Sequence, residues 1–362
     1  MLESDDWGSI RTASRAAYDA LLDLGYDLGQ DSHSIDALET EADLRALFNV
    51  LDSVRDRRGR PACLTANMIV SNPDFGRIQE SGFRRYYYVP LAETLSRSGR
   101  HPEVARLWSE GLERKLFVPQ LHGREHVRWW EWMSALRSGS AEAVQAFRLG
   151  MCGVPGRASK ERLAIHDLVY LPDAALEANG VDIDSMIREG ADLFERQFGY
   201  RSLSAIAPNY CWTDRVETLW SEAGIRYIQG SVFQRVGDRE RRRAHFLGQR
   251  GPAGGLYLIR NCFFEPASGG AGWVDRCLRD MAAAFLLRKP AVISCHRVNF
   301  IGSIVPDNRE TGLRLLRELL NRIVRKWPDV AFVSSVELGH MIAHRLPSVD
   351  RMDGNAVLPR HA

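Results

Sequence analysis

Short β-branched or apolar runs alternate along the chain with longer stretches whose apolar residues recur every three or four positions. The first pattern marks strands and the second marks amphipathic helices. Strands are predicted over 62–70, 116–121, 203–207, 226–229, 256–264, 291–295 and 330–334. Helices are predicted over 35–55, 127–136, 183–198, 274–287 and 310–326, the last halted by Trp327-Pro328-Asp329. Alternation sustained this far along the chain favours one closed or nearly closed α/β barrel, residues 1–345, over two domains. From 138 to 199 there are helical pieces and the Gly/Pro-rich CGVPGRAS but no convincing strand, so a long βα insertion is expected there. The segment 237–255, with Arg239, Arg241, Arg242, Arg243 and Arg250 among glycines, reads as a solvated loop, with an anionic-substrate lid as the second reading. Residues 346–362 are short, polar and proline-containing and read as a loose tail.

Composition narrows the picture modestly. A chain of 362 residues, 45% hydrophobic and 26% charged, has ample core material, which excludes disordered and collagen-like classes. Lys plus Arg (48) against Asp plus Glu (46) leaves a net charge of +2, so no global field draws in nucleic acid, and no such partner is expected. Six scattered cysteines without a CxxC read as reduced, idle thiols. No apolar run reaches membrane-spanning length and MLESDDWGSIRTAS has no leader pattern, so a cytoplasmic location is expected. Asp5 and Asp6 leave only Met1–Ser4 to build a strand before them. The given start is therefore expected to truncate the natural one, and an upstream extension would carry any targeting signal.

The candidate chemistry collects at the carboxyl ends of predicted strands, where barrel enzymes place their sites. His122 and His126, in LHGREH after the strand-like LFVPQ, are spaced to converge on one metal from a helix face or a loop entering a helix. Neutral imidazole suits zinc and similar divalent ions. Asp5 and Asp6 offer adjacent carboxylates, one able to ligate a metal while the other faces a bound water; an acidic turn capping a helix is the plainer account. His296, after the apolar AVI, is placed as a general acid or as a hydrogen-bonded structural histidine. Ala207-Pro208-Asn209-Tyr210 ends another strand and presents a backbone N–H to an oxyanion, or forms a plain turn.

Together these residues resemble the polysaccharide deacetylase (NodB-homology) family, and TANMIVSNPDF, FGYRSLSAIAPNY, IRYIQG and ISCHRVNFIGS look like one branch of it. The resemblance implies an irregular (β/α)7 barrel in which Asp5 is the catalytic base and Asp6, His122 and His126 hold a divalent metal, most often zinc. It further implies that the Asn209 N–H stabilises the oxyanion, with Tyr210 beside the substrate, and that His296 is the acid. The substrate implied is an acetylated saccharide, N- or O-linked, and Trp7, Trp129, Trp130, Trp132, Tyr210 and Trp212 are candidate sugar-stacking faces.

The chain departs from the family pattern twice. Ile206 stands where the third motif has an arginine, and no acidic-Trp motif follows, Trp273 and Asp275 being wrongly spaced. Three alternatives therefore stay open: a carbohydrate-binding barrel without catalysis, a glycoside hydrolase, and an H-x-x-E-H metallopeptidase using Glu125 as base.

Overall fold

Parallel strands are built where the apolar runs lie, and the connecting amphipathic segments cover them. The computed structural model describes residues 1–29, 32–99, 103–155, 158–161, 165, 173–236 and 241–345; the expected tail, Arg239 and parts of the expected insertion lie outside these. In chain order the strands are β1 (Leu2–Trp7), β2 (Leu64–Ile69), β3 (Ser71–Pro73), β4 (Tyr88–Pro90), β5 (Phe117–Gly123), β6 (Ser204–Ile206), β7 (Tyr227–Gly230), β8 (Phe233–Arg235), β9 (Arg242–Ala244), β10 (Leu256–Ile259), β11 (Cys262–Phe263) and β12 (Ile293–His296). The α-helices are α1 (Arg15–Asp23), α2 (Glu41–Asp52), α3 (Phe75–Glu80), α4 (Leu91–Arg97), α5 (Glu103–Glu113), α6 (Trp129–Arg137), α7 (Ala141–Arg148), α8 (Asp173–Ala178), α9 (Ile183–Phe198), α10 (Asp214–Glu222), α11 (Trp273–Leu286), α12 (Pro306–Lys326) and α13 (Ser335–Ala343).

The main sheet runs β10-β7-β6-β5-β2-β1-β12-β11, parallel throughout and curled as a barrel wall. Its two outermost members, β10 and β11, are separated in the chain only by Arg260 and Asn261. The Arg260 N–H donates to Gly230 O (2.8 Å) at the end of β7, whereas the N–H groups of Asn261 and Cys262 donate to Val292 O (3.1 Å each) beside β12. One extended segment thus changes partners midway and joins the two edges. Seven strand positions circle the barrel, the irregular (β/α)7 arrangement.

Sequence signals account for most boundaries. Thr40 and Asp43 form a capping box that starts α2, and Ser334 and Glu337 do the same for α13. Pro306 opens α12, where its missing N–H costs nothing, and α9 stops at Gly199 (φ 76°). Leu313, Leu316, Leu319, Leu320 and Ile323 put one stripe of α12 into the main core.

Three expectations change. Residues 330–334 form no strand: they run as coil into the α13 cap, with the Phe332 N–H donating to Asp56 Oδ2 (3.4 Å). The arginine-rich segment is not simply a loop, because Arg242–Ala244 pairs antiparallel with Phe233–Arg235. The first strand does not end before the aspartates: both lie inside β1, Leu2–Trp7, of which Leu2, Glu3 and Ser4 pair with both β2 and β12. All six cysteines are free and buried. No helix among the described residues is long and apolar enough to cross a membrane.

The barrel interior is polar. Glu3, Asn67, Gln120, Ser204, Gln229, Arg260 and Ser294, drawn from seven strand positions, are all buried. They satisfy one another, as buried polar groups must: Gln229 lies 2.9 Å from both the Asn67 amide and the Ser204 hydroxyl, and Ser204 N donates to Gln120 Oε1 (2.8 Å).

Candidate metal centre and acid–base groups

In a regular strand Asp5 and Asp6 would point to opposite faces. Here the β1–β2 register shifts between Ser4 and Trp7, and Asp6 adopts a left-handed backbone (φ 74°). This bulge turns both carboxylates toward the barrel mouth. A second register shift, between Met68 and Ile69 opposite β5, brackets His122, and the following Gly123 (φ 146°) takes a conformation open essentially to glycine alone. The chain then swings so that the His122 and His126 rings meet edge to face, with centroids 5.2 Å apart.

Asp6, His122 and His126 converge. Asp6 Oδ1 lies 3.4 Å from His122 Nε2 and 3.8 Å from His126 Nε2, all three residues are buried, and their ligand atoms lie within 4.8 Å of one another. His122 Nδ1 faces the Ile206 carbonyl at 3.0 Å; a carbonyl only accepts, so Nδ1 carries the proton and Nε2 offers a lone pair to the cluster. A carboxylate oxygen and an imidazole lone pair facing each other call for a cation between them, and this donor set fits a divalent metal. The second carboxylate oxygen of Asp6 accepts from Arg11 (3.0 Å). Burial opposes ionisation of Asp6, but the Arg11 guanidinium holds its carboxyl well below the usual range.

Asp5 sits beside this cluster in a different grip. Arg260 forks both its oxygens, NH1 to Oδ2 and NH2 to Oδ1 at 2.7 Å each, and Asn67 donates to Oδ1 (2.7 Å). Burial alone would raise the Asp5 pKa; the guanidinium overrides it and holds the carboxyl far below its ordinary value. Oδ2 receives a single bond and keeps a lone pair for a substrate-side proton.

His296 is half-buried, its side chain 37% exposed, and its Nδ1 lies 2.6 Å from Glu265 Oε1. Asn299 donates to the other Glu265 oxygen (2.8 Å) and fixes it. Burial works against protonation, but Glu265, with Asp6 and Asp5 behind it, pushes the His296 pKa up to about 10. His296 is therefore a cation at neutral pH, with a proton to give. Its neighbour Arg297 ties the mouth together, binding Asp36 Oδ1 and Glu39 Oε2 at 3.0 and 2.8 Å.

Asn209 and Tyr210 follow β6 in consecutive left-handed conformations (φ 54° and 56°). The Tyr210 N–H is committed to Ala207 O (3.1 Å), and its hydroxyl accepts from Arg260 (3.2 Å). Trp7, Trp130, Trp132 and Trp212 are buried and present no stacking face; Trp129 and Tyr210 are half-buried.

Two groups escaped the sequence reading. Arg260 was legible as a lone charge inside the apolar run LYLIRNCFF, and Glu265 as the first acid after it. Neither lies where the resemblance sought an arginine or an acidic-Trp pair; Ile206 is buried and contributes only its carbonyl. The metallopeptidase alternative fails on geometry. His122 belongs to a strand, no helix spans 122–126, and Glu125 is locked by Arg124 at 2.6 and 2.7 Å.

No family model and no curated protein matches the chain. Among solved structures it is similar to a putative polysaccharide deacetylase from Mycobacterium smegmatis, at 12% identity and TM-score 0.42, over 94% of this chain and 90% of that one. It is also similar to a 4-alpha-glucanotransferase from Thermococcus litoralis, at 10% identity and TM-score 0.41, over 93% of this chain and 40% of that one. A third is a GH57 branching enzyme from Thermococcus kodakaraensis, at 11% identity and TM-score 0.40, over 90% of this chain and 68% of that one.

Proposed function

We propose that the protein is a metal-dependent hydrolase that removes acetyl groups from a saccharide. The observation that carries this reading is the convergence of Asp6, His122 and His126 at one barrel mouth, with Asp5 and His296 on the adjoining strands beside them. Asp6, His122 and His126 would hold a divalent ion, with zinc the metal best suited to the set; when bound, the ion supplies Lewis acidity and makes water a nucleophile near neutral pH. Oδ2 of Asp5 accepts the proton of the attacking water. The Asn209 N–H, at the strand end, is assigned to the developing oxyanion. His296 then delivers its proton to the departing amine or alcohol, with Glu265 holding the ring in place. A glycoside hydrolase on the same barrel is the alternative reading; the histidine pair converging on Asp6, which that reaction does not need, favours the metal-dependent one.

The test is metal analysis joined to an acetate-release assay on N- and O-acetylated oligosaccharides. Near-stoichiometric divalent metal is expected in the purified protein and is lost in His122→Ala and Asp6→Ala. Asp5→Asn is expected to lower kcat about 10²- to 10⁴-fold with the metal retained. Full metal retention in both ligand variants, or no acetate release by the metal-loaded protein, refutes the reading.

A further inference from the structure

A parallel sheet gathers all its strand starts at one end, so the floor opposite the candidate centre is built by the connections that lead from helices into strands. Every such connection of the main sheet carries exposed positive charge: Arg57 and Arg58 before β2, Lys115 before β5, Arg201 before β6, Arg226 before β7, and Arg288 with Lys289 before β12. Their one acid, Asp56, is buried. Arg57 is paired with Asp329 and Arg201 with Glu195 (3.0 Å), but Arg58, Lys115, Arg226, Arg288 and Lys289 have no ion-pair partner among the described residues. At the mouth, by contrast, Arg11, Arg124, Arg260 and Arg297 are all paired with carboxylates. The net charge of +2 thus conceals a basic floor.

The same floor bears the most exposed large apolar side chain among the described residues. Leu286, 84% exposed, and Leu287, 70%, close α11 directly before Arg288 and Lys289. A closed helix cap holds them out: Arg288 takes the left-handed position usually left to glycine (φ 55°), and the N–H groups of Arg288 and Lys289 donate to Phe285 O and Ala284 O (2.9 Å each). Beside them lies an apolar cavity of about 380 Å³ lined by Met281, Phe285, Ile323, Trp327 and Met341. Met341, Asp329 and Val330 also line the hollow beside Arg57 and Arg58, so leucines and arginines border one continuous surface. A single exposed leucine needs no explanation, but a fixed pair ringed by unpaired cations does. A nucleic acid would take the cations and leave the leucines in water, whereas an anionic bilayer takes both. We propose that this floor docks the protein on an anionic lipid surface, with Leu286 and Leu287 entering the headgroup–acyl boundary and Arg58, Arg288 and Lys289 meeting lipid phosphates. Docking this way turns the Asp6–His122–His126 end away from the lipid.

The experiment sediments the intact chain with vesicles of phosphatidylcholine alone or containing about one-third phosphatidylglycerol. The protein is expected to pellet with the anionic vesicles only, and high salt should release it. Leu286→Ser/Leu287→Ser and Arg288→Glu/Lys289→Glu, each checked for folding by thermal melt, should weaken binding about tenfold or more. Arg84→Glu/Arg85→Glu, exposed outside the floor, should leave it within about twofold. No pelleting, equal pelleting with neutral vesicles, or equal losses in all three variants overturns the proposal. So does a dimer in size-exclusion chromatography that Leu286→Ser/Leu287→Ser abolishes, which would assign the face to a second copy. Tighter binding to a DNA duplex that survives the leucine substitutions would assign it to nucleic acid and overturn it likewise. None of these readouts involves catalysis, so the docking surface stands or falls apart from the acetyl-removing reading.

Discussion

Adjacent aspartates take different roles because one residue adopts an unusual backbone. With φ at 74°, Asp6 occupies a region that Asp and Asn tolerate better than other side chains, and the bulge brings its carboxylate to the mouth beside Asp5, which strand alternation already turns inward with Glu3. Asp6→Asn and Asp6→Ala should both lose the metal, with Ala roughly 1 kcal/mol less stable than Asn in metal-free denaturant melts because it lacks the side chain that suits left-handed geometry. His296 gives a pH test. It binds its proton more tightly when folded, about 10 against the ordinary 6.5, so the stability it contributes is full below about pH 6.5 and is lost as pH rises toward 10. Glu265→Gln removes the main cause of that elevation, and the basic limb of the kcat/KM profile should move toward neutrality; an unmoved limb would separate His296 from proton delivery. Glu125, once a rival base, now reads as the partner of the buried Arg124. Glu125→Gln should therefore lower the melting temperature while leaving the kcat of the folded fraction nearly unchanged.

At the scale of elements, the acid is positioned by packing as well as by chemistry. The short turn Arg297–Phe300, directly after His296, lies under α12 at Gly312, where an added Cβ would come within 1.8 Å of Asn299 O. Asn299 also holds Glu265, so a methyl at 312 pushes on the residues that orient the acid. Gly312→Ala is expected to cost about 1–3 kcal/mol in unfolding free energy and to reduce kcat more than KM. This close approach was invisible in the sequence, where α12 shows only its apolar stripe. The elements themselves were more legible: 183–198 coincides with α9, and 256–264 marks the segment that became β10 and β11. Local periodicity could not show that this run divides at Arg260, because which neighbour a strand pairs with is a non-local choice. The same limit explains 330–334, an apolar run that lines the barrel's floor without joining its ladder.

Across the whole molecule, residues from position 5 to position 296 meet in one mouth because the sheet curls and the β10–β11 segment bridges its edges. If the metal is held as proposed, folding and binding are linked: a ligand at a hundred times its Kd stabilises by about 2.7 kcal/mol. Chelation should therefore lower the melting temperature of the wild-type protein and leave that of His122→Ala unchanged; equal shifts in both would place the metal elsewhere. Sequence by itself determined the α/β barrel class, six of the strand runs of the main sheet, five of its covering helices and the side chains of the candidate centre, because periodicity and residue chemistry are local and written in the chain. Only the tertiary structure decided which groups govern those side chains. Arg260 grips Asp5 from 255 residues away and Glu265 orients His296 across 31, and no local rule connects such pairs. Contacts of that kind exist only once the barrel has closed and burial has made each unpaired charge costly enough to demand its partner.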